Sequence, residues 1–186
     1  MKFLVWFGVL ACLTPAGWGQ RSEHAQNLAP YVDSPQRVVD KMLEAAELKP
    51  GEVVYDLGCG DGRVLITAIQ KFRAAKAIGV EISAKIVRAA MDTVRSLGLQ
   101  DRAKVIHGNL MDQDVSDADV VTLYLLTSSN EILRPKLEKS MKSGSRVVSH
   151  DFEVKGWKPD RVEKAYSYNR LHTIYVYQMP PHPVNP

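Results

Sequence analysis

The sequence predicts an α/β fold: a mostly parallel sheet covered by helices as a three-layer sandwich and closed by a C-terminal antiparallel hairpin. Three observations carry this. Short apolar runs recur at residues 53–57, 77–81, 104–107, 119–125 and 145–149, helical stripes fill the gaps between them, and residues 170–178 alternate after an extended stretch at 161–168.

The first stripe is Val38, Val39, Met42, Leu43 and Ala46, which share one helical face. Ser34 is expected as its cap, Pro35 in its first turn and Pro50-Gly51 as its stop. Val64, Leu65, Ala68, Ile69 and Phe72 repeat the offsets, as do Ile86, Val87, Ala90, Met91 and Val94, and both read as core faces. The helix near 129–142 contains Pro135, which predicts a late start or a kink. In the last strand Leu171, Thr173, Tyr175 and Tyr177 alternate with His172, Ile174 and Val176, as a strand paired antiparallel with 161–168 would. Five parallel strands and this hairpin make seven.

A chain of 186 residues, 45% hydrophobic and 24% charged, suits one globular domain, expected over residues 20–178. The formal charge of +3 is slight, so bulk charge gives no support to nucleic-acid binding, and none is expected. Residues 179–186, Met-Pro-Pro-His-Pro-Val-Asn-Pro, supply few backbone donors and are expected as an exposed, flexible tail in which His182 has no role.

The N-terminus has the layout of a secretory signal. Lys2 precedes an uncharged apolar run at 3–13, then Thr14, Pro15 and Gly17-Trp18-Gly19, with cleavage expected before Gln20. The run is short for a membrane span. Residues 1–19 therefore predict export or membrane association. The alternatives are an uncleaved anchor with the domain on the cytosolic side, or a misassigned start codon on a cytoplasmic protein. Cys12 lies within this segment, which leaves Cys59 as the one mature cysteine and excludes an intramolecular disulfide; Cys59 reads as a small turn residue, not a nucleophile.

The chemistry concentrates at residues 53–63, Val-Val-Tyr-Asp-Leu-Gly-Cys-Gly-Asp-Gly-Arg, where a strand enters the glycine cluster Gly58, Gly60, Gly62 and then a helix. Glycine lets a nucleoside-sized ligand approach main chain, and the helix start offers unpaired N–H groups. A dinucleotide fingerprint would need a third glycine where Arg63 stands, and a phosphate loop would need Gly-Lys-Ser/Thr; neither is met. Asp56, at the strand end, repels pyrophosphate and suits an ammonium or sulfonium ligand. Glu81 closes the next strand, where an acid can accept both ribose hydroxyls, although a dehydrogenase would use the same acid.

Asp-Leu-Gly-Cys-Gly-Asp-Gly resembles the first motif of the class I, seven-stranded S-adenosylmethionine-dependent methyltransferases, whose fold is Rossmann-like. The resemblance implies S-adenosyl-L-methionine as cofactor, its methionine part held by the turn and its ribose by Glu81. It also implies adenine contacts from a polar residue followed by an apolar one after the third strand. In His107-Gly108-Asn109-Leu110-Met111-Asp112 these are Asn109 and Leu110, with Asp112 as a second candidate. His107 reads as a strand-end residue, since no second ligand accompanies it at metal spacing, and no metal site is predicted. After the fourth strand, Tyr124-Leu125-Leu126-Thr127 lacks the Asn/Asp-Pro-Pro-Tyr/Phe loop of enzymes that methylate amino groups of bases or amides, which argues against those acceptors. His150, in Ser149-His150-Asp151-Phe152, is either a base or substrate contact, or a strand-end histidine bonded to backbone.

A closer resemblance spans nearly the whole mature chain. Pro30-Tyr31-Val32-Asp33-Ser34-Pro35, the glycine motif, Val-Val-Thr-Leu-Tyr-Leu-Leu-Thr, Arg-Val-Val-Ser-His-Asp-Phe and Gly-Trp are similar to the small archaeal broad-specificity protein-lysine methyltransferases. More distantly they resemble the mitochondrial enzymes acting on ATP synthase subunit c and the adenine nucleotide translocase. In those families the Tyr-Val-Pro-Thr/Ser-Pro segment closes over the cofactor, which implies that role for Tyr31 and Ser34; Asp33 departs from the pattern. The implied substrate is a protein with an accessible lysine. Transfer from an activated sulfonium methyl needs chiefly a positioned, neutral amine, and burial beside a cation lowers the lysine pKa from about 10.4. Tyr124 and Thr127 are expected as channel residues. A small-molecule O-, N- or S-methyltransferase and a non-catalytic S-adenosylmethionine-binding module are the competing readings. An exported enzyme would also lack the cytosolic supply of this cofactor.

Overall fold

The computed structural model describes residues 31–183; the expected signal over 1–19, the residues following it to position 30, and residues 184–186 lie outside the described residues. In chain order the elements are α1 (Gln36–Ala45), β1 (Val53–Leu57), α2 (Arg63–Gln70), β2 (Lys76–Glu81), α3 (Ala84–Ser96), β3 (Ala103–His107), a 3-10 turn (Leu110–Asp112), β4 (Val120–Leu123), α4 (Thr127–Ser140), β5 (Arg146–His150), β6 (Trp157–Lys158), β7 (Arg161–Ser167), β8 (Arg170–Gln178) and β9 (His182–Pro183). Seven strands form one sheet in the order β3-β2-β1-β4-β5-β8-β7. β1 to β5 run parallel, β8 pairs antiparallel with β5, and β7 with β8. Sequential order reverses between β1 and β4. In such sheets the crevice at that reversal, beyond the carboxyl ends of the strands, takes the ligand.

Apolar stripes decide which face each helix covers. Val38, Val39, Met42 and Leu43 of α1, Val64, Leu65, Ala68 and Ile69 of α2, and Val87, Ala90 and Val94 of α3 form one buried layer with Val54, Ala77, Val148, Ile174 and Val176 of the sheet. Leu133 and Leu137 of α4 cover the other face with Leu57, Val80, Val121, Leu123, Val147 and Tyr177. Alternation along β8 delivers Ile174 and Val176 to the first layer and Tyr177 to the second, as period-2 strands require. Burying each of Leu43, Leu65, Leu133 and Leu137, all fully buried, contributes roughly 2 kcal/mol before cavity effects are counted. Among the described residues no helix is long and apolar enough to cross a membrane.

Four expectations change. The N-cap position of α1 belongs to Pro35, and Ser34 makes no cap bond; its side chain turns instead to His150. β4 ends at Leu123, so Tyr124 and Leu125 lie in the connection to α4. α4 begins at Thr127, earlier than expected, and runs through Pro135 to Ser140 as one helix; the backbone bond that Pro135 cannot make would have gone to Glu131, an exposed residue. Order also extends past the expected start of the tail. Met179 is buried, its N–H donates to Ser145 O at 2.8 Å, and His182–Pro183 pairs with Trp157–Lys158. His182 remains solvent-exposed, but its Nε2 lies 3.5 Å from Asp160 Oδ1.

Candidate active site

The glycine turn is built by close packing on both of its sides. Cys59 drops its side chain onto β2, where a Cβ on Gly79 would stand 2.5 Å from the Cys59 sulfur, so mid-strand glycine is what lets the turn sit down. Gly58 N and Cys59 N both donate to Val80 O, at 2.9 and 3.0 Å. On the outer side Gly60 has φ +52°, and a Cβ there would lie 2.7 Å from Tyr31 Cε2. The Tyr31 ring therefore rests on bare backbone.

Two carboxylates flank this turn. Asp56 is buried at 6% exposure, and its Oδ1 accepts from Thr122 Oγ1 at 2.7 Å. Burial pushes its carboxyl up to about 7; Thr122 opposes this, and Asp61 and Glu81 add to it. Among the described residues no cation faces it. Glu81, also buried, accepts Gly60 N at 3.2 Å through Oε2 and Ser83 N at 2.8 Å through Oε1, so it organises the turn and keeps lone pairs for further donors.

Arg63, where a dinucleotide fingerprint would carry glycine, ties the segment before α1 to this turn. Its guanidinium pairs with Asp61 and Asp33, each at 2.6 Å, and donates to Ser34 O at 2.7 Å. Burial works against Asp61, yet the hydrogen bonds from Arg63 prevail and hold its carboxyl below the usual range. Residues 31–34 are thereby held over the glycines.

The resulting cleft is narrow, with a free volume of about 30 Å³, and is lined by Tyr31, Ser34, Asp56, Gly58, Gly60 and Tyr124, among others. Five of the ten expected site residues meet there: Tyr31, Asp56, Gly58, Gly60 and Tyr124. Glu81 stands one hydrogen bond behind Gly60. Asn109 caps the 3-10 turn by accepting Met111 N at 2.9 Å, and Leu110 packs partly against the second core layer; neither lines this cleft. Thr127 opens α4 and likewise does not line it.

His150 corrects both of its readings. It is fully buried, so it presents no surface to a substrate, and its partners are side chains, not backbone. Its Nδ1 lies 2.8 Å from Ser34 Oγ, its Nε2 2.9 Å from His172 Nδ1, and its ring stacks on Tyr124 at 3.8 Å between centroids. Burial drives its pKa down to about 4, against the pull of Asp151. The Tyr124 hydroxyl is raised, by burial first and then by Asp151, with Arg170 working in the other direction. His172, which the sequence marked only as part of an alternating strand, belongs to this cluster. Its register against His150 depends on the β5–β8 pairing, which no local signal announces. Donor atoms of His150, Asp151 and His172 lie within 4.8 Å of one another, but Arg170 is ion-paired with Asp151 and places a cation where a metal would compete.

The crystal structure of an RNA methyltransferase from Salinibacter ruber in complex with S-adenosyl-L-homocysteine superposes with a TM-score of 0.76 at 39% identity, covering 83% of this chain and 97% of that one. Fold and cleft thus define an S-adenosylmethionine-dependent methyltransferase. The site fits that cofactor chemically, with glycine main chain at Gly58 and Gly60 in the cleft wall and a buried carboxyl at Asp56 that no cation faces among the described residues. The ANTKMT methyltransferase domain model matches residues 56–161, and the chain belongs to that family. It is 48% identical over 153 residues to a protein-lysine N-methyltransferase of Saccharolobus islandicus (strain REY15A), covering 82% of this chain and 95% of that protein. The adenine nucleotide translocase lysine N-methyltransferase of Mus musculus is 31% identical over 130 residues, 70% of this chain and 56% of that protein.

Proposed function

We propose that this methyltransferase N-methylates lysine side chains of proteins. The observation that carries this reading is the 48% identity, along nearly the full length of the relative, to a protein-lysine N-methyltransferase. The cleft supports it: exposed Tyr31 and Val32 line it, so it meets the protein surface where a partner protein could offer a side chain. The name of the Salinibacter ruber relative favours a second reading, an RNA acceptor. Against it, Arg63 in the cleft wall and Arg170 beside Tyr124 are each paired with a carboxylate, which leaves them less able to hold phosphate.

The cofactor supplies a methyl group already activated on a sulfonium. Ionised Asp56 would hold that cationic end, Glu81 holds the turn and would accept hydroxyl donors, and Tyr31 lies over Gly60. Tyr124, in the cleft wall, orients the amine. The positive end of the α4 dipole, at Thr127, disfavours an ammonium and so favours the neutral amine that attacks. Orientation in line with the methyl supplies much of the acceleration, so no single base is required.

Incubating the purified chain with methyl-labelled cofactor and a mixed lysate, then separating protein, RNA and small molecules, tests the acceptor. Label in lysine of acid-hydrolysed protein is expected; label confined to RNA or to small molecules refutes the reading. We further propose, from the sequence layout alone, that residues 1–19 direct export or membrane association. Sequencing the N-terminus of the mature protein should give Gln20; an intact Met1 on a cytosolic protein would refute it.

A further inference from the structure

We infer that His150 and His172 are positioning residues that fix the Ser34 hydroxyl as a hydrogen-bond donor aimed into the cofactor cleft. The inference rests on that cleft being the S-adenosylmethionine site, and it follows from counting protons in a buried cluster.

His150 touches both walls of the cleft without entering it: Ser34 through Nδ1 and Tyr124 through its ring face. Its Nε2 is 2.9 Å from His172 Nδ1, which also lies 3.2 Å from Asp151 Oδ2. Asp151 has φ +59°, a left-handed conformation, and is held by Thr173 N on Oδ1 at 2.9 Å and by the Arg170 ion pair on Oδ2. Ser34, Tyr124, Asp151, Arg170 and His172 thus surround His150. Desolvation of this pocket keeps His150 neutral, so its imidazole carries one ring proton.

Two proton patterns satisfy the contact between the histidines. In the first, His172 is protonated on Nδ1 and shares that proton between His150 Nε2 and Asp151; His150 then carries its proton on Nδ1 and donates to Ser34 Oγ. In the second, both rings are protonated on Nε2. The second pattern leaves the His172 Nε2–H buried with no hydrogen-bond partner among the described residues. Asp151 Oδ2 does not separate the two patterns, since it lies 3.2 Å from His172 Nδ1 and 3.3 Å from His150 Nε2 and meets one proton and one lone pair in either. A buried orphan N–H costs more than an unused lone pair. The first pattern is therefore the ground state.

Its consequence falls on Ser34. Having accepted from His150, the hydroxyl keeps one proton to give. Ser34 is 8% exposed, its carbonyl is held by Arg63 Nη1 at 2.7 Å, and the residue lines the cleft. The proton therefore points at the ligand, where an acceptor, best a carboxylate such as that of the cofactor's amino-acid end, completes the bond.

The ring protons are read directly by long-range ¹H–¹⁵N correlation on the histidine-labelled free protein. Protonated-type Nδ1 and lone-pair-type Nε2 are expected for both residues; an Nε2–H on His150 overturns the inference. S-adenosyl-L-homocysteine binding by calorimetry gives the second readout. Ser34→Ala and His150→Phe, which keeps the stack on Tyr124 but removes the donor, should each weaken binding about tenfold. The double variant should be no weaker than either single one. His150→Asn, whose amide N–H stands where Nδ1–H stood, should retain affinity within about threefold. Losses that multiply in the double variant, or His150→Asn behaving like His150→Phe, overturn it. Parent protein that fails to bind S-adenosyl-L-homocysteine refutes the cofactor site instead, while the spectrum still decides the proton pattern.

Discussion

Replacing Asp56 by asparagine is expected to make the ligand-free protein more stable and the enzyme useless. Asp56 has an ordinary carboxyl value of 3.8 and is raised to about 7 by burial. The folded chain therefore holds a proton that the unfolded chain releases between those limits. The stabilising contribution is complete below 3.8, declines as pH rises, and is gone above about 7; across the full window it amounts to about 4 kcal/mol. Asparagine stays neutral throughout and can still meet Thr122 Oγ1. Relative to the parent, the variant should gain about 2 kcal/mol at pH 5 and about 4 kcal/mol at pH 8. Urea denaturation of both proteins without cofactor, at pH 5 and pH 8, measures this, and other titrating groups cancel in the difference. Adding S-adenosylmethionine should stabilise the parent and leave the variant unmoved, because the cation would meet a neutral amide. Parallel pH dependence in the two proteins would refute the protonation argument. Equal stabilisation of both by cofactor would refute the assignment of Asp56 to its cationic end.

The remaining expectations follow from neighbouring contacts. Glu81→Gln leaves an amide that cannot accept from both Gly60 and Ser83, and cofactor affinity should fall about ten- to a hundredfold by calorimetry, the worth of a charged hydrogen bond. Gly60→Ala places a methyl 2.7 Å from Tyr31 Cε2 at φ +52°; binding should weaken, and adding Tyr31→Ala should remove the clash but leave the backbone cost of about 1 kcal/mol, visible in denaturation curves. Tyr124→Phe keeps the stack on His150 and should lower kcat only a few-fold, whereas Tyr124→Ala frees one wall of the cleft and should lower kcat about a hundredfold, the scale of a misplaced reactant. Equal kcat values for the two variants would argue that the ring has no positioning role.

Much of the sheet was legible because its signals are local. Alternation in 170–178, glycine at 58, 60 and 62, and the stripes of α1 to α3 depend on nearest neighbours in sequence. So does the acid at the end of β2, whose carboxylate accepts from Gly60 and Ser83. What was not legible depends on long-range register. Ser34 has the composition of a cap, yet the ring of His150, 116 positions later, takes its hydroxyl. His172 looked like one more residue of an alternating terminal strand, and only the antiparallel pairing of β5 with β8 brings it against His150. Arg63 was read for the glycine it replaces; its grip on Asp33 and Ser34 O requires the α1 segment to fold back over the turn. The boundary at Leu123 was lost because Tyr124 and Leu125 continue an apolar run that the backbone abandons.

Cys59 is the one free cysteine among the described residues, and it sits at the centre of the cofactor turn with its sulfur wedged against Gly79. Burial raises its thiol well above the ordinary range, so a thiol reagent has nothing to attack while the turn is seated. The chain therefore carries its own gauge of local opening: the rate at which a small disulfide reagent labels the protein measures how often this turn lifts from β2. A ligand that clamps the turn must slow that clock in proportion to its occupancy.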